Sequence, residues 1–212
     1  MSSQKGEQVS LEEYSIYKPV IEKRLLEFKR LPKSRWFREV AFCLFTPQSS
    51  PFHAEGALIE LEEAGGLEGK LSDNEVANIL GKRHRYVRFH VQKAKRFNLL
   101  VKNRSKIEKV IFSRLSPINE RARLIELVNG MGLKEGSHAL RNIGRTGLAI
   151  LDRHILRCLC EQGVIKEVPK SLTTSGYLEI EGRFREFSKK IQISMDGLDF
   201  FFWLKATGLI FK

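Results

Sequence analysis

An all-α fold is predicted by three features of the sequence. Apolar residues recur at helical spacing along almost the whole chain, Gly, Pro, Ser and Asn punctuate the segments between them, and one helix start is spelled out as a capping box. Leu11–Leu31 carries the first helical pattern, and Pro32 stands where a second helix can begin. Trp36, Phe37, Val40, Ala41, Leu44 and Phe45 mark the buried stripe of that second helix, which the Thr46-Pro47 pair ends. Ser72-Asp73-Asn74-Glu75 is the capping box, with Ser72 placed to accept from the third backbone N–H and Glu75 to reach back, opening a short helix through Leu80. Further helices are expected at Tyr86–Asn98, Asn119–Asn129, Glu135–Asn142, Asp152–Glu161, Tyr177–Lys190 and Asp196–Ala206.

The 212 residues amount to about 1.4 average domains, so one domain or two small lobes sharing a core. With 42% hydrophobic and 29% charged residues, the composition excludes a disordered tail, and no apolar run approaches the roughly 20 residues that span a bilayer. The polar start, Met1 to Ser10, does not read as a signal peptide. Three cysteines, Cys43, Cys158 and Cys160, cannot all pair, which argues for a reducing cytosol and excludes zinc ribbons and four-cysteine iron–sulfur clusters.

Net charge is the informative quantity. The chain carries +12, and Gly81–Val110 alone holds Lys82, Arg83, Arg85, Arg88, Lys93, Lys95, Arg96, Lys102, Arg104, Lys106 and Lys109 against Glu108. Tyr86, Phe89 and Phe97 interleave this cluster, which favours a nucleic-acid face over a merely solvated basic helix.

The stretch Leu124–Arg157 carries the chemistry. An apolar helix runs into Asn129-Gly130-Met131-Gly132-Leu133-Lys134, and a second helix begins near Glu135. Gly130 and Gly132 allow backbone N–H groups to approach a phosphate at a helix N-terminus, although a tight turn between two helices requires glycines on its own account. Lys134 follows directly, and Asp152 reads as the N-cap of the helix after Ile150-Leu151. A neutral lysine amine can attack a sugar C1′ carbon, and a carboxylate can stabilise the oxocarbenium charge that develops there.

Two blocks, Gly130-Met131-Gly132-Leu133-Lys134-Glu135-Gly136-Ser137-His138-Ala139-Leu140-Arg141-Asn142-Ile143-Gly144 and Ile150-Leu151-Asp152-Arg153-His154-Ile155-Leu156-Arg157, closely resemble the helix-hairpin-helix DNA glycosylases. Within these, the chain is similar to the compact second family of 8-oxoguanine DNA glycosylase/AP lyases. Phe42–Ser49, Tyr86–His90 and Trp203–Lys212 extend the likeness over most of the chain after Arg35.

The resemblance implies one glycosylase domain over residues 1–212, built of two helical lobes with an active-site cleft between them. Lobe A would be residues 33–146, a helical barrel with the hairpin at 120–143; lobe B would be residues 9–32 plus 147–212. It implies Lys134 as the Schiff-base nucleophile and Asp152 as the catalytic carboxylate. By the same resemblance Phe89 and Trp203 sandwich the flipped base, the Lys212 end reads it, and Gln48 wedges into the space it leaves. Core packing is the competing reading of Phe89 and Trp203, strengthened for Trp203 by Phe200-Phe201-Phe202; a simple turn is the competing reading of Gln48. Gly130, Gly132, Arg85, Arg88 and Lys93 are expected to grip the DNA backbone.

No metal or organic cofactor is expected, although the hairpin carbonyls offer a place for a monovalent cation. His138, His154, Cys158 and Cys160 fall on different helix faces and make no ligand set. The expected partner is duplex DNA containing 8-oxoguanine, with no membrane, acted on by a monomer in a prokaryotic cytoplasm at the nucleoid. The rival readings are the same chemistry on another oxidised base, and a non-enzymatic helix-hairpin-helix module in which Lys134 touches phosphate only.

Overall fold

The computed structural model describes residues 9–212, and these are helical, with turns and extended connections but no strand. They group into two compact units: residues up to Arg30 with Gly144–Phe211, and Leu31–Ile143 with Lys212. The chain therefore passes between units within three residues of the expected lobe limits. Lys212 is the correction, because it groups with residues 31–143 and not with the segment that leads to it.

In the Leu31–Ile143 unit, α2 (Trp36–Phe45) is buried along its entire length, Arg38 and Glu39 included. The apolar pattern predicts only a stripe; the whole circumference is covered because α3 (Pro51–Glu63), α5 (His90–Lys102), α6 (Arg104–Ile111) and α8 (Leu133–Asn142) all pack against it. Phe37, Phe42, Phe45 and Phe97 are almost fully buried, with the Phe45 and Phe97 rings 5.5 Å apart. Each such side chain contributes about 1.5–3 kcal/mol by leaving water.

Two helices of this unit, α3 and α6, were not expected. Pro51 at the first position of α3 is a helix start that follows a turn too closely for periodicity to separate them. Only Asn103 divides α5 from α6, so Ile107 and Ile111, the buried positions of α6, merge with the basic cluster before it. α4 (Asp73–Leu80) opens on the expected capping box: Glu75 N–H donates to Ser72 Oγ at 3.3 Å, and Ser72 N–H donates to Glu75 Oε2 at 2.8 Å. α5 begins at His90, four residues later than the pattern implies, because a short 3-10 turn at Arg83–Arg85 and a bond from Val87 N–H to Leu80 O hold Tyr86–Arg88 out of the helix.

α7 (Pro117–Leu127) and α8 form the hairpin. Buried Arg121 donates to Ser137 Oγ at 2.8 Å, and Gly136 lets the Arg121 and Ile125 side chains come to 3.1 and 3.0 Å from where a Cβ would stand.

The other unit is built on α1 (Leu11–Lys29), α9 (Arg153–Glu161), α10 (Thr174–Ile191) and α11 (Met195–Thr207). α1 and α11 pack through aromatic pairs, Tyr14 edge-on to Phe201 at 5.5 Å and Phe28 stacked on Phe200 at 6.1 Å. Gly144, at φ 84°, has the Lys29 Cα 2.8 Å from the position a Cβ would take. Gly144→Ala therefore meets main chain in a left-handed conformation, and is expected to cost about 2–4 kcal/mol in urea unfolding.

Candidate active site and nucleic-acid interface

The hairpin turn is closed by its own backbone. Val128 N–H bonds to Leu124 O at 3.0 Å and Met131 N–H to Val128 O at 3.1 Å, while Gly130 takes φ 83°. The Arg96 guanidinium from α5 lies 2.6 Å from the site a Cβ would occupy, so a larger residue at 130 would displace this cation as well as strain the backbone. Gly132 is the N-cap of α8, and its N–H donates to Glu135 Oε2 at 3.2 Å. An anion at this helix start must therefore share it with the Glu135 carboxylate. Lys134 lies in the first turn of α8 with its side chain 28% exposed and its ammonium 3.1 Å from Glu135 Oε1.

Asp152 is the N-cap of α9, as its position implies, and Oδ1 accepts from Ile155 N–H at 2.8 Å. The segment before it, Leu148–Leu151, is buried without being helical, so its backbone groups need partners from elsewhere. α10 supplies them. Glu181 accepts from Ala149 N–H at 2.8 Å; the Tyr177 hydroxyl donates to Ala149 O at 2.7 Å and accepts from Leu151 N–H at 3.3 Å. Asp196 accepts from Gly147 N–H at 3.2 Å. Sequence reasoning missed Tyr177, Glu181 and Asp196 as supports of Asp152; the run of apolar residues between two helices was the available signal.

Lys212 has its amine fully engaged. Nζ donates to Glu39 Oε1 at 2.8 Å and Glu55 Oε2 at 2.9 Å, and lies 4.8 Å from the centre of the Phe42 ring. Burial pushes the Glu55 carboxyl up, but its hydrogen bond to Arg38 and the nearby Lys212 and Arg38 charges hold it below the usual range. The His138 ring is buried and held well below its ordinary pKa by desolvation, then by the Arg141 and Lys134 charges, against an opposing pull from the Lys212 main chain. His138 Nε2 is buried with no hydrogen-bond partner.

Phe89 is 47% exposed, which removes the core reading for it. Trp203 is half-buried, edge-on to His154 at 5.9 Å, whereas Phe200, Phe201 and Phe202 beside it are the buried residues. His154 and Cys158, one turn apart on α9, share a face contrary to expectation: His154 Nε2 is 2.9 Å from Phe202 O and 3.7 Å from Cys158 Sγ, whose thiol is pushed up to about 11 by burial first and nearby carboxylates second. Among the described residues, no three His, Cys, Asp or Glu side chains converge as metal ligands.

The expected phosphate contacts divide. Arg88 is exposed, with its guanidinium 5.1 Å from the centre of the Phe89 ring, and Gln48 is exposed in the turn after α2. Arg85 is a correction: it bonds to Gly56 O at 2.9 Å and pairs with Glu60, so its guanidinium is committed to α3. Lys93 is a second correction. It is 3% exposed, and its Nζ donates to Phe45 O and Pro47 O at 2.7 Å each and to Ser49 Oγ at 3.3 Å. The main-chain acceptors at the end of α2 draw it inward, away from any phosphate. Arg83, Lys95, Lys102, Lys106 and Lys109 remain exposed with Arg88.

Burial, followed by the Lys134 and Arg96 charges and against the opposing pull of Glu135, lowers the Lys93 amine from 10.5 to about 8. Below about pH 8 the group is charged in both states, and the penalty of burying it is complete. Between about 8 and 10.5 the unfolded chain retains a proton that the folded chain has lost, so folding stability rises with pH. Urea unfolding should show the wild type gaining up to about 3 kcal/mol relative to Lys93→Met across that window.

A glycine-turned hairpin, a lysine in the first turn of its second helix and an exposed basic and aromatic surface define an all-helical protein of the helix-hairpin-helix class. A family model described as 8-oxoguanine DNA glycosylase matches residues 21–193. The 8-oxoguanine DNA glycosylase/AP lyase of Methanocaldococcus jannaschii is 34% identical over 207 residues, covering 92% of this chain and 93% of the relative. That of Korarchaeum cryptofilum is 37% identical over 199 residues, covering 91% and 90%. Among solved structures, the 8-oxoguanine DNA glycosylase of Thermotoga maritima superposes with a TM-score of 0.83 at 30% identity, covering 95% of each chain. The M. jannaschii glycosylase/lyase in complex with a 15mer DNA containing 8-oxoguanine gives 0.80 at 29% identity, covering 95% of this chain and 98% of that one. This chain belongs to the 8-oxoguanine DNA glycosylase family of helix-hairpin-helix proteins.

Proposed function

We propose that this chain excises 8-oxoguanine from duplex DNA and cleaves the resulting abasic strand by β-elimination, with Lys134 as nucleophile. The observation that carries the reading is the placement of Lys134. Its half-buried amine stands immediately after the glycine turn of the hairpin, in a chain whose relatives bear this activity in their names.

Once deprotonated, the Lys134 amine attacks C1′ of the damaged nucleotide; the glycosidic bond breaks, and the base leaves with the bonding electrons and takes up a proton. Asp152, kept in place by its N-cap bond, stabilises the positive charge that builds on the sugar. Ring opening converts the adduct to an iminium. This acidifies the C2′ hydrogens, and loss of one of them expels the 3′ phosphate, nicking the strand 3′ to the lesion.

Phe89 and Trp203 are the stacking surfaces for the flipped base, Gln48 the wedge, and Arg88, Gly130 and Gly132 the backbone contacts. With its amine engaged by Glu39 and Glu55, Lys212 meets the base through its main chain, where an acceptor for the N7–H would distinguish 8-oxoguanine from guanine. The protein works as a monomer in the cytoplasm, on nucleoid DNA, without an organic cofactor. No helix of the described residues is long and apolar enough to cross a membrane.

Borohydride reduction on a labelled duplex with one 8-oxoguanine tests the mechanism. The wild type should be trapped covalently, Lys134→Gln should not, and Asp152→Asn should be slowed by about a hundredfold or more. Trapping by Lys134→Gln would remove the nucleophile assignment; trapping on an oxidised pyrimidine but not on 8-oxoguanine would change the substrate. Lys212→Met should slow 8-oxoguanine excision about tenfold while leaving cleavage of a preformed abasic site within about twofold. Equal losses on both substrates would overturn its role in reading the base.

A further inference from the structure

Gln48 and Phe89 share an uncommon backbone state. Gln48 has φ 55° and Phe89 has φ 60°, the left-handed region that residues with a Cβ rarely adopt. The other non-glycine residue of this kind among those described, Gln192, is an ordinary left-handed C-terminal cap of α10. Gln48, by contrast, lies two residues beyond the C-cap of α2, and Phe89 stands at the N-terminal boundary of α5. Both side chains are exposed, so neither is held by packing.

One small hydrogen-bond set brackets both residues. Lys93 Nζ fixes Pro47 O and Ser49 Oγ, the neighbours of Gln48 on either side. The same Ser49 Oγ accepts the Arg88 N–H at 2.9 Å, and Lys93 N–H donates to Phe89 O at 2.9 Å, so the residue before Phe89 and Phe89 itself are tied as well. Unfavourable backbone conformations persist where the surroundings over-determine them, and they concentrate where a side chain must be presented.

We propose that Lys93 and Ser49 form a clasp that holds Gln48 and Phe89 at a fixed spacing on one rigid support, as positioning residues for extrusion of the damaged base. The inference rests on the function proposed above, in which Phe89 stacks on the flipped base and Gln48 occupies its vacated place. Unstacking a base is uphill, and it proceeds efficiently when the wedge and the platform are both already in position. The clasp places the cost of ordering these two loops in folding and not in DNA binding.

The test compares wild type, Ser49→Ala, Ser49→Thr and Lys93→Met under single turnover on two duplexes, one with 8-oxoguanine and one with a preformed abasic site, alongside thermal unfolding. Ser49→Ala and Lys93→Met should release 8-oxoguanine about tenfold more slowly while cleaving the abasic duplex within about twofold of wild type, and Ser49→Thr should restore release. Unchanged release by a folded Ser49→Ala, or parallel loss on both duplexes in step with lowered thermal stability, would overturn the clasp. If Lys93→Met does not fold, Ser49→Ala alone decides. A wild type that leaves 8-oxoguanine intact would overturn the function reading and the clasp together, whereas an active wild type with unaffected variants overturns the clasp alone.

Discussion

The Leu31–Ile143 unit depends on pairing the charges of a helix that has no solvent side. α2 places Arg38 and Glu39 next to each other at 5% and 3% exposure, where an unpaired charge would cost several kcal/mol. Arg38 gathers Glu55 and Glu62 from α3 at 2.6 and 2.9 Å; Glu39 gathers Asn142 from the end of α8 at 2.9 Å and the Lys212 amine. The need to satisfy two charges thus fixes where α3, the C-terminal end of the hairpin's second helix and Lys212 lie. Lys134 and Lys212, proposed above as nucleophile and base reader, are positioned through this set: one on the helix that Glu39 anchors, the other on Glu39 itself.

The same constraint operates with neutral groups in the other unit. Leu148–Leu151 has too many apolar residues to lie on the surface, and too little helix to satisfy its own N–H and C=O groups. Tyr177 and Glu181, one helical turn apart on α10, replace the missing backbone partners, and the segment is delivered rigidly to Asp152. Glu181 remains 3% exposed with Arg185 3.9 Å away, a carboxylate used as scaffolding and not as chemistry.

Much of this was legible in the sequence, and the parts that were not have a common cause. Helices with a local signal were found: the Ser72–Glu75 box reports a start within four residues, and Asp152 is an N-cap by its position before a helical pattern. The hairpin turn from Gly130 to Gly132 and the N-cap at Asp152 were legible because each is announced by residues adjacent in the chain. α3 and α6 were missed because one follows a turn and the other a one-residue break, and periodicity needs a longer window. Lys93 and Arg85 were placed on the surface because charge is a local property and its destination is not. Acceptors at Phe45, Pro47, Gly56 and Glu60, some 25 to 48 residues away, decide where these two cations go.

The internal pairing within Gly81–Val110 has a consequence for how the protein senses ionic conditions. Lys82 and Arg85 are both spent on Glu60, Arg104 pairs with Glu108, and Lys93 is buried. The cations that remain, exposed Arg83, Arg88, Lys95, Lys102, Lys106 and Lys109 with half-buried Arg96, can displace at most about six condensed counterions from a duplex. Affinity from this face would therefore fall with salt about two-thirds as steeply as its eleven cations suggest. On the proposed function, a search along DNA guided by this face would keep its grip through changes in salt that release a more densely charged surface.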